Sequence, residues 1–427
     1  MRLFAPSLLL FACATARAQP APPTPPSSAG DEAAPAPAVA PPATTAPLAP
    51  PEASAPPASR AVPLVAIPID TPAPSSPVPP DDWTLRPGAF IQPQFRMRQN
   101  APGAPNDTDG FRFARARLTA LGGGHVGTLQ IGGYVEAELQ PSFSLFDAYV
   151  TVSQALPHDA TVTVDAGQMR VPISRQQLMS DTRLSFVDKA QLATIAPDRD
   201  LGARVTLAMP HARLIAGSFN GEGRDQGQNI NESFLTAGRL EITPLGEQAP
   251  YAESAFTTPW LSVAVSAGYD KLTPGSFHEN ETFLGADLSG AWRGLSGTVE
   301  YLEVRHHFAD AAGGVMLQPD FKANGWVAQL AYLLPMASPP ARAARVEVGA
   351  RVEEIDRNDT TPIIQIGAPE QSVRAYTAVV SYYLRRHTAK LQLAATHFTE
   401  LEDRTATGAN AAYANDQLLL QLTYRIE

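Results

Sequence analysis

The sequence predicts an all-β fold: a transmembrane antiparallel β-barrel of 16 strands, preceded by a disordered Pro/Ala-rich segment. Three observations predict it. Apolar residues alternate with small or polar ones over stretches of about ten residues, the period of a strand with one dry and one wet face. Short and long connections alternate along the chain, as the two ends of an outer-membrane barrel require. From Trp83 onward, no apolar run approaches the ~18–20 residues of a membrane-crossing helix.

Composition narrows the alternatives. Of 427 residues, 44% are hydrophobic and only 17% charged, against about 25% charged in an ordinary soluble domain. The apolar residues are dispersed among uncharged polar ones, which argues against helical membrane bundles and coiled coils. A net charge of −10 disfavours binding to a nucleic-acid backbone. A single cysteine excludes an intrachain disulfide framework and any multi-cysteine metal site. No cofactor and no metal is expected.

In chain order, residues 1–18 read as a secretory signal peptide. Arg2 is its charged end, Leu3 to Phe11 its apolar stretch and Ala16-Arg17-Ala18 its cleavage site. Cys13 leaves open a lipid attachment, which Phe11 fits poorly. Residues 19–82 follow as a disordered spacer, for 22 of the 41 prolines lie in residues 1–80. Such a segment lacks the apolar side chains that offset ordering entropy, and its prolines keep it extended.

Residues 83–427 hold the predicted barrel. Strands are placed near 88–98, 111–121, 125–138, 145–156, 160–171, 198–209, 211–220 and 234–243. Eight more fall near 260–269, 282–292, 295–307, 321–334, 344–355, 372–384, 387–398 and 416–426. In 344–355, Val346, Val348, Ala350 and Val352 oppose Arg345, Glu347, Arg351 and Glu353. In 387–398, Leu391, Leu393 and Ala395 oppose Lys390, Gln392 and Thr396. The last is clearest: Leu418, Leu420, Leu422, Tyr424 and Ile426 oppose Gln417, Gln421, Thr423 and Arg425.

Tight turns are expected at 122–124 (Gly-Gly-Gly), 157–159, 210, 293–294 and 385–386, with long connections between them. Two links break the alternation: 244–259 is too long and 139–144 too short. Sixteen strands of about 11 residues with their connections need about 340 residues, close to what is available. An even count returns both chain ends to the short-turn side, which places the Pro-rich segment in the periplasm. Trp292, Trp326, Tyr332, Tyr376, Tyr382 and Tyr424 are candidates for the interfacial aromatic girdles. The chain departs from many such barrels in ending beyond its last aromatic, Tyr424, on Arg425-Ile426-Glu427.

A barrel of this size leaves room for a water-filled channel. The longest connection, 172–197, carries a helix start at Ser174-Arg175-Gln176-Gln177. Long loops with structure of their own tend to be functional. It is expected to fold into the lumen and narrow it.

Several short motifs then resemble a known family. They are Gly167-Gln168-Met169-Arg170-Val171-Pro172, Leu184-Ser185-Phe186-Val187-Asp188-Lys189 and Pro197-Asp198-Arg199-Asp200-Leu201-Gly202. Phe219-Asn220-Gly221 and Ala237-Gly238-Arg239-Leu240 continue the series, and Arg112, Arg115, Arg117 and Asp147-Ala148-Tyr149 also fit. In order and spacing they resemble the phosphate-selective porin O and P family, most strongly from about 111 to 244. The resemblance implies a homotrimeric channel of the bacterial outer membrane, lined with basic residues that pass anions.

The expected pore-lining set is Arg115, Arg117, Arg204, Arg239 and Lys390, with Arg175, Arg183 and Lys189 on the constriction loop. Pairing of Arg115 and Arg117 with Glu136 or Glu138 is an alternative use of those arginines. From position 81 onward, 29 basic and 38 acidic side chains leave a net charge of −9. A mixed-sign wall filters small hydrophilic solutes without strong charge preference. The expected partners are therefore outer-membrane lipid and small hydrophilic solutes or anions such as phosphate. A plugged structural or adhesive barrel is the alternative. Gly-x-Ser-x-Gly, His-Glu-x-x-His and phosphate-loop motifs are all missing, so no catalytic residue is assigned.

Overall fold

The computed structural model describes residues 83–98, 109–229, 233–246, 248, 250–254, 256, 258–271, 278–308, 320–335, 345–359, 372–401 and 416–426. The expected signal peptide and spacer lie outside the described residues. Sixteen strands form one closed antiparallel barrel. They are β1 (Thr84–Arg98), β2 (Gly110–Val126), β3 (Leu129–Glu138), β4 (Ser144–Leu156), β5 (Ala160–Arg170), β6 (Arg199–Met209), β7 (Ala212–Phe219) and β8 (Leu235–Leu245). After them come β9 (Trp260–Lys271), β10 (His278–Trp292), β11 (Leu295–Phe308), β12 (Phe321–Leu333), β13 (Arg345–Asp356), β14 (Ser372–Arg385), β15 (Ala389–Glu400) and β16 (Gln417–Ile426). β1 pairs with β16, from Ala89 opposite Ile426 to Arg98 opposite Gln417, and this pairing closes the ring.

Period two decides which side faces what. On β16, Leu418, Leu420 and Leu422 are 40%, 41% and 39% exposed, whereas Gln421 and Thr423 are 0% exposed. The wall is thus inverted relative to a soluble protein: apolar outside, polar inside. Exposed Trp292, Tyr332, Tyr382 and Tyr424 mark one rim, the turn end. Tyr269, Tyr376, Phe111 and Phe113 are exposed toward the other, the loop end.

One turn differs from expectation. Gly122, Gly123 and Gly124 do not turn; they lie within β2 opposite Gly133, Gly132 and Ile131. The hairpin turns instead after Val126, where Gly127 takes φ +62°, the left-handed conformation a two-residue turn demands. A glycine run resembles a turn in sequence, but here it gives two strands a wall of small cross-section. A further link breaks the alternation besides 244–259: the β12–β13 connection spans 334–344.

β2 also contains a bulge. Gln92 pairs with Arg115 while Pro93 pairs with Phe113, so Ala114 is the extra residue. An extra residue exchanges inside for outside beyond it. Phe111 (90% exposed) and Phe113 (54%) therefore face outward, and Arg112 turns inward, where its Nε donates to Gln94 Oε1 at 2.7 Å.

The interior is not uniformly polar. Met169, Phe219, Leu235, Phe283, Leu302, Val304 and Val327 form a buried apolar patch inside β5, β7, β8 and β10–β12. It is the seat of the long loop after β5.

Candidate functional site

Loop 171–198 leaves β5, crosses the barrel interior and returns to β6. Its neck is closed by Val171 N–H donating to Asp198 O at 3.0 Å. Val171, Ile173 and Leu192 insert into the apolar patch. Phe186 and Val187 pack on the far wall against Val379, Ala394 and Leu419. Each such buried side chain contributes roughly 1.5–3 kcal/mol, opposing the entropy of ordering a long connection.

The loop forms no sheet, so its backbone polar groups need other partners. Wall side chains supply them. The loop's one α-helical turn, α1 (Arg175–Leu178), is capped by Ser174. Glu300 on β11 accepts from Ser174 Oγ at 2.6 Å, Arg175 N at 2.8 Å and Gln176 N at 3.1 Å. Ser266 of β9 donates to Ile173 O at 2.6 Å. Gln392 of β15 and Ser381 of β14 donate to Ser185 O at 2.8 and 3.2 Å. Arg351 of β13 donates to Asp188 O at 2.8 Å, and Glu353 accepts from Gln191 N.

Asp181 meets the wall at β2. Its Oδ2 lies 3.2 Å from Arg115 Nε and 2.9 Å from Arg117 Nη1. Burial alone raises a carboxyl pKa, but Arg115 and Arg117, with Lys189 and Arg170 behind them, hold Asp181 well below the usual carboxylate range. Arg115 also approaches Asp188 at 3.5 Å. Arg117 is shared further, with Glu136 and Glu138 each at 2.6 Å. The Phe146 ring lies 3.9 Å from the Arg117 guanidinium carbon and 4.5 Å from that of Arg199, a cation–π support for both.

The other expected wall residues also turn inward. Arg204 pairs with Asp165 at 2.7 Å. Arg239 pairs with Glu241 at 2.7 Å and Asp287 at 2.6 Å. Lys390 donates to Leu184 O. On the loop, Arg175 is buried between Trp260 and Tyr251, 5.4 and 5.5 Å from their rings. Arg183 is half-buried. Lys189 donates to Gln177 O and Oε1, both at 3.1 Å. Lys189 is half-buried. Burial lowers it, Asp181 offsets this in part, and Arg170 and Arg199 lower it further, to about 7.

The sequence reading missed several members of this site. Arg112 is exposed and lies beside Arg96 and Arg115 at the loop end; among the described residues it has no ion pair. The β2 bulge concealed its direction; its one trace in the sequence is that Phe111 and Phe113 stand at the same parity as Arg115 and Arg117. Asp181, Glu300 and Glu353 carried no motif, since each is a single carboxylate whose partner lies far away in sequence.

Residues 107–277 match the profile of the family described as Phosphate-selective porin O and P. No curated protein matches the sequence. Among solved structures, outer-membrane-expressed OmpT of Vibrio cholerae is 10% identical, with a TM-score of 0.52 over 82% of this chain and 99% of that one. The trimer form of OmpT from the same organism is 10% identical, with a TM-score of 0.52 over 81% and 100%. The outer-membrane channel DcaP of Acinetobacter baumannii is 14% identical, with a TM-score of 0.51 over 80% and 97%. At these identities the likeness is one of fold.

Proposed function

We propose that this chain, whose residues 107–277 match the profile described as Phosphate-selective porin O and P, is an outer-membrane porin of that kind that lets small hydrophilic solutes diffuse past loop 172–197 and favours anions such as phosphate. The observation that carries the anion preference is the cationic approach to the loop. Arg96, Arg112 and Arg115 stand together at the loop end; Asp181 and Asp188 compensate Arg115, while Arg112, with no ion pair among the described residues, is open to water. Clustered like charges in a low-dielectric cleft raise the local concentration of the opposite ion. Deeper in, Arg117, Arg204 and Arg239 are neutralised by carboxylates, so the preference is mild.

Arg115, Arg117, Arg204, Arg239 and Lys390 act in this reading as the pore wall. Arg175, Arg183 and Lys189 act from the constriction loop. Purified protein in a planar bilayer under a salt gradient tests it. The expected result is stepwise conductance with a reversal potential on the anion side. Cation preference would overturn the anion reading while sparing the pore.

A second reading draws on the loop's contacts, which reach β1, β2 and β7–β16. A loop held on so many strands suits a plugged barrel. An absence of channel steps in the bilayer would favour it.

The topology supports an arrangement in the envelope. With 16 strands, Thr84 and Ile426 lie at the same end. We place that end, and with it residues 19–82 as a spacer after a signal peptide at 1–18, on the periplasmic side. Thiol labelling of Ser75→Cys tests this: reagent that cannot cross the outer membrane should leave intact cells unlabelled. The trimer form of the Vibrio cholerae protein supports a homotrimer here, to be checked by cross-linking in native membranes.

A further inference from the structure

We infer that the connection between β8 and β9 is a second constricting element, seated beneath loop 172–197 from the turn end and holding it in the lumen. The inference rests on the reading of that loop as the pore's constriction.

Length is the first sign. At the turn end, the β2–β3, β4–β5, β6–β7, β10–β11 and β14–β15 links occupy 127–128, 157–159, 210–211, 293–294 and 386–388, and the β12–β13 link, 334–344, is the other long one. The β8–β9 link runs from 246 to 259. Burial is the second. Within it, Tyr251, Glu253 and Ser254 are 3%, 8% and 5% exposed, whereas a surface turn remains wet.

Its contacts show what it is buried against. Glu253 N–H donates to Arg183 O at 3.0 Å, and Ser185 N–H donates to Glu253 Oε2 at 2.6 Å. The same carboxylate accepts from Gln329 of β12. His387 Nε2–H, in the β14–β15 turn, donates to Glu253 O at 3.0 Å. One residue thus ties the loop, the segment and two separate parts of the wall together.

Around Glu253 the packing agrees. Tyr251 packs with Leu178, Met179 and Leu184 of the loop, and its hydroxyl donates to Glu241 at 2.5 Å. Arg175 Nη2 donates to Pro250 O at 2.8 Å. Phe256 meets Tyr383 and His387 edge-on, at 4.8 and 5.5 Å. Residues 183–185 are near the loop's midpoint, where β14 and β15 hold the carbonyls of Leu184 and Ser185 from the opposite side. That is where the segment grips. A solute that passes the loop meets this segment next.

The test replaces residues 247–258 with an Asn-Gly turn in the full chain; the Tyr251→Ala/Glu253→Ala double variant is a milder second form. Both are compared with deletion of 174–195. All are first checked for heat-modifiable migration on gels, the sign of a closed barrel. The inference expects single-channel conductance to rise by a factor of roughly two or more in either form, as removal of a pore-narrowing element does. It also expects Leu184→Cys, buried in the parent, to become reactive to a charged thiol reagent added from the turn end. Unchanged conductance and unchanged labelling in folded variants, with conductance raised by the loop deletion, overturns the inference and leaves the constriction reading standing. If the loop deletion also changes nothing, both fall.

Discussion

Asp181 stands 2.9 Å from Arg117, joining the middle of an inturned loop to a strand 64 positions earlier in the chain. The pair is buried, and Arg117 has two other carboxylates. Asp181 therefore holds the loop more than it holds the arginine. Its loss frees a loop and uncovers a cation.

Asp181→Asn is accordingly expected to raise conductance and shift the reversal potential further toward anions. Breaking a buried pair typically costs about 3–5 kcal/mol. The cost here falls below that, because Glu136 and Glu138 still cover Arg117. Bilayer recording and the temperature of heat-modified migration read the two effects. A drop in anion preference would contradict the placement of Arg115 and Arg117 along the solute path.

Glu300→Ala removes the acceptor of one hydroxyl and two amides at the start of α1. Each buried donor left without a partner costs about 1–3 kcal/mol. The expected outcome is a noisier open-channel current and faster tryptic cleavage after Arg175 and Arg183. Glu300→Gln, which keeps an acceptor, should lie between parent and alanine variant. Equal protease resistance in all three would show that the cap does not hold the loop.

Lys189 gives the loop a pH dependence. Its ammonium loses its proton at about 7 in the seated loop, against the ordinary 10.5 when released. Between those values the seated loop binds fewer protons than the released one, so seating strengthens as pH rises through that window. Current fluctuations should be most frequent at pH 7 and below, and subside toward pH 10. Lys189→Met should flatten the profile.

Gly167 opens the first of the family-like motifs, and its role is steric. It has φ +134°, and a Cβ there would lie 2.2 Å from Ala148 O. Gly167→Ala should lower the yield of closed barrel on refolding, read as the heat-modifiable fraction. Ala166→Ser, one position away and exposed, should fold like the parent.

The outward face can be checked as simply. Leu420→Arg places a charge in the lipid-facing row of β16, at a cost of about 2–4 kcal/mol if near the bilayer midplane. Val126→Arg, exposed at the turn-end edge of β2, should cost about 0–1 kcal/mol. Urea unfolding in lipid vesicles compares them. Equal costs would contradict the assigned depths.

Sixteen strands were legible because each repeats one local rule, apolar against polar at period two, over enough residues to read. Gly122–Gly124 misled because glycine marks a turn and a thin strand alike; only the backbone angle at Gly127 separates them. The bulge at Ala114 left a trace in the shared parity of Phe111 and Phe113, but not its position. Arg117 could be matched to Glu136 and Glu138 because a neighbouring strand lies one hairpin away. Asp181, Glu253 and Glu300 could not be matched to anything. Their partners are set by how one loop and one turn happen to meet inside the ring, and no periodicity links positions so far apart.

The pairing of Ala89 with Ile426 has a consequence for biogenesis. The first strand waits for the last. Until β16 arrives, β1 and β15 each carry a bare edge, the kind that recruits other chains. A prematurely terminated polypeptide cannot seal itself, whatever the quality of its earlier hairpins. Arrival of the sixteenth strand is thus written into the architecture as a condition for leaving the aggregation-prone state, and the ten residues of β16 act as its latch.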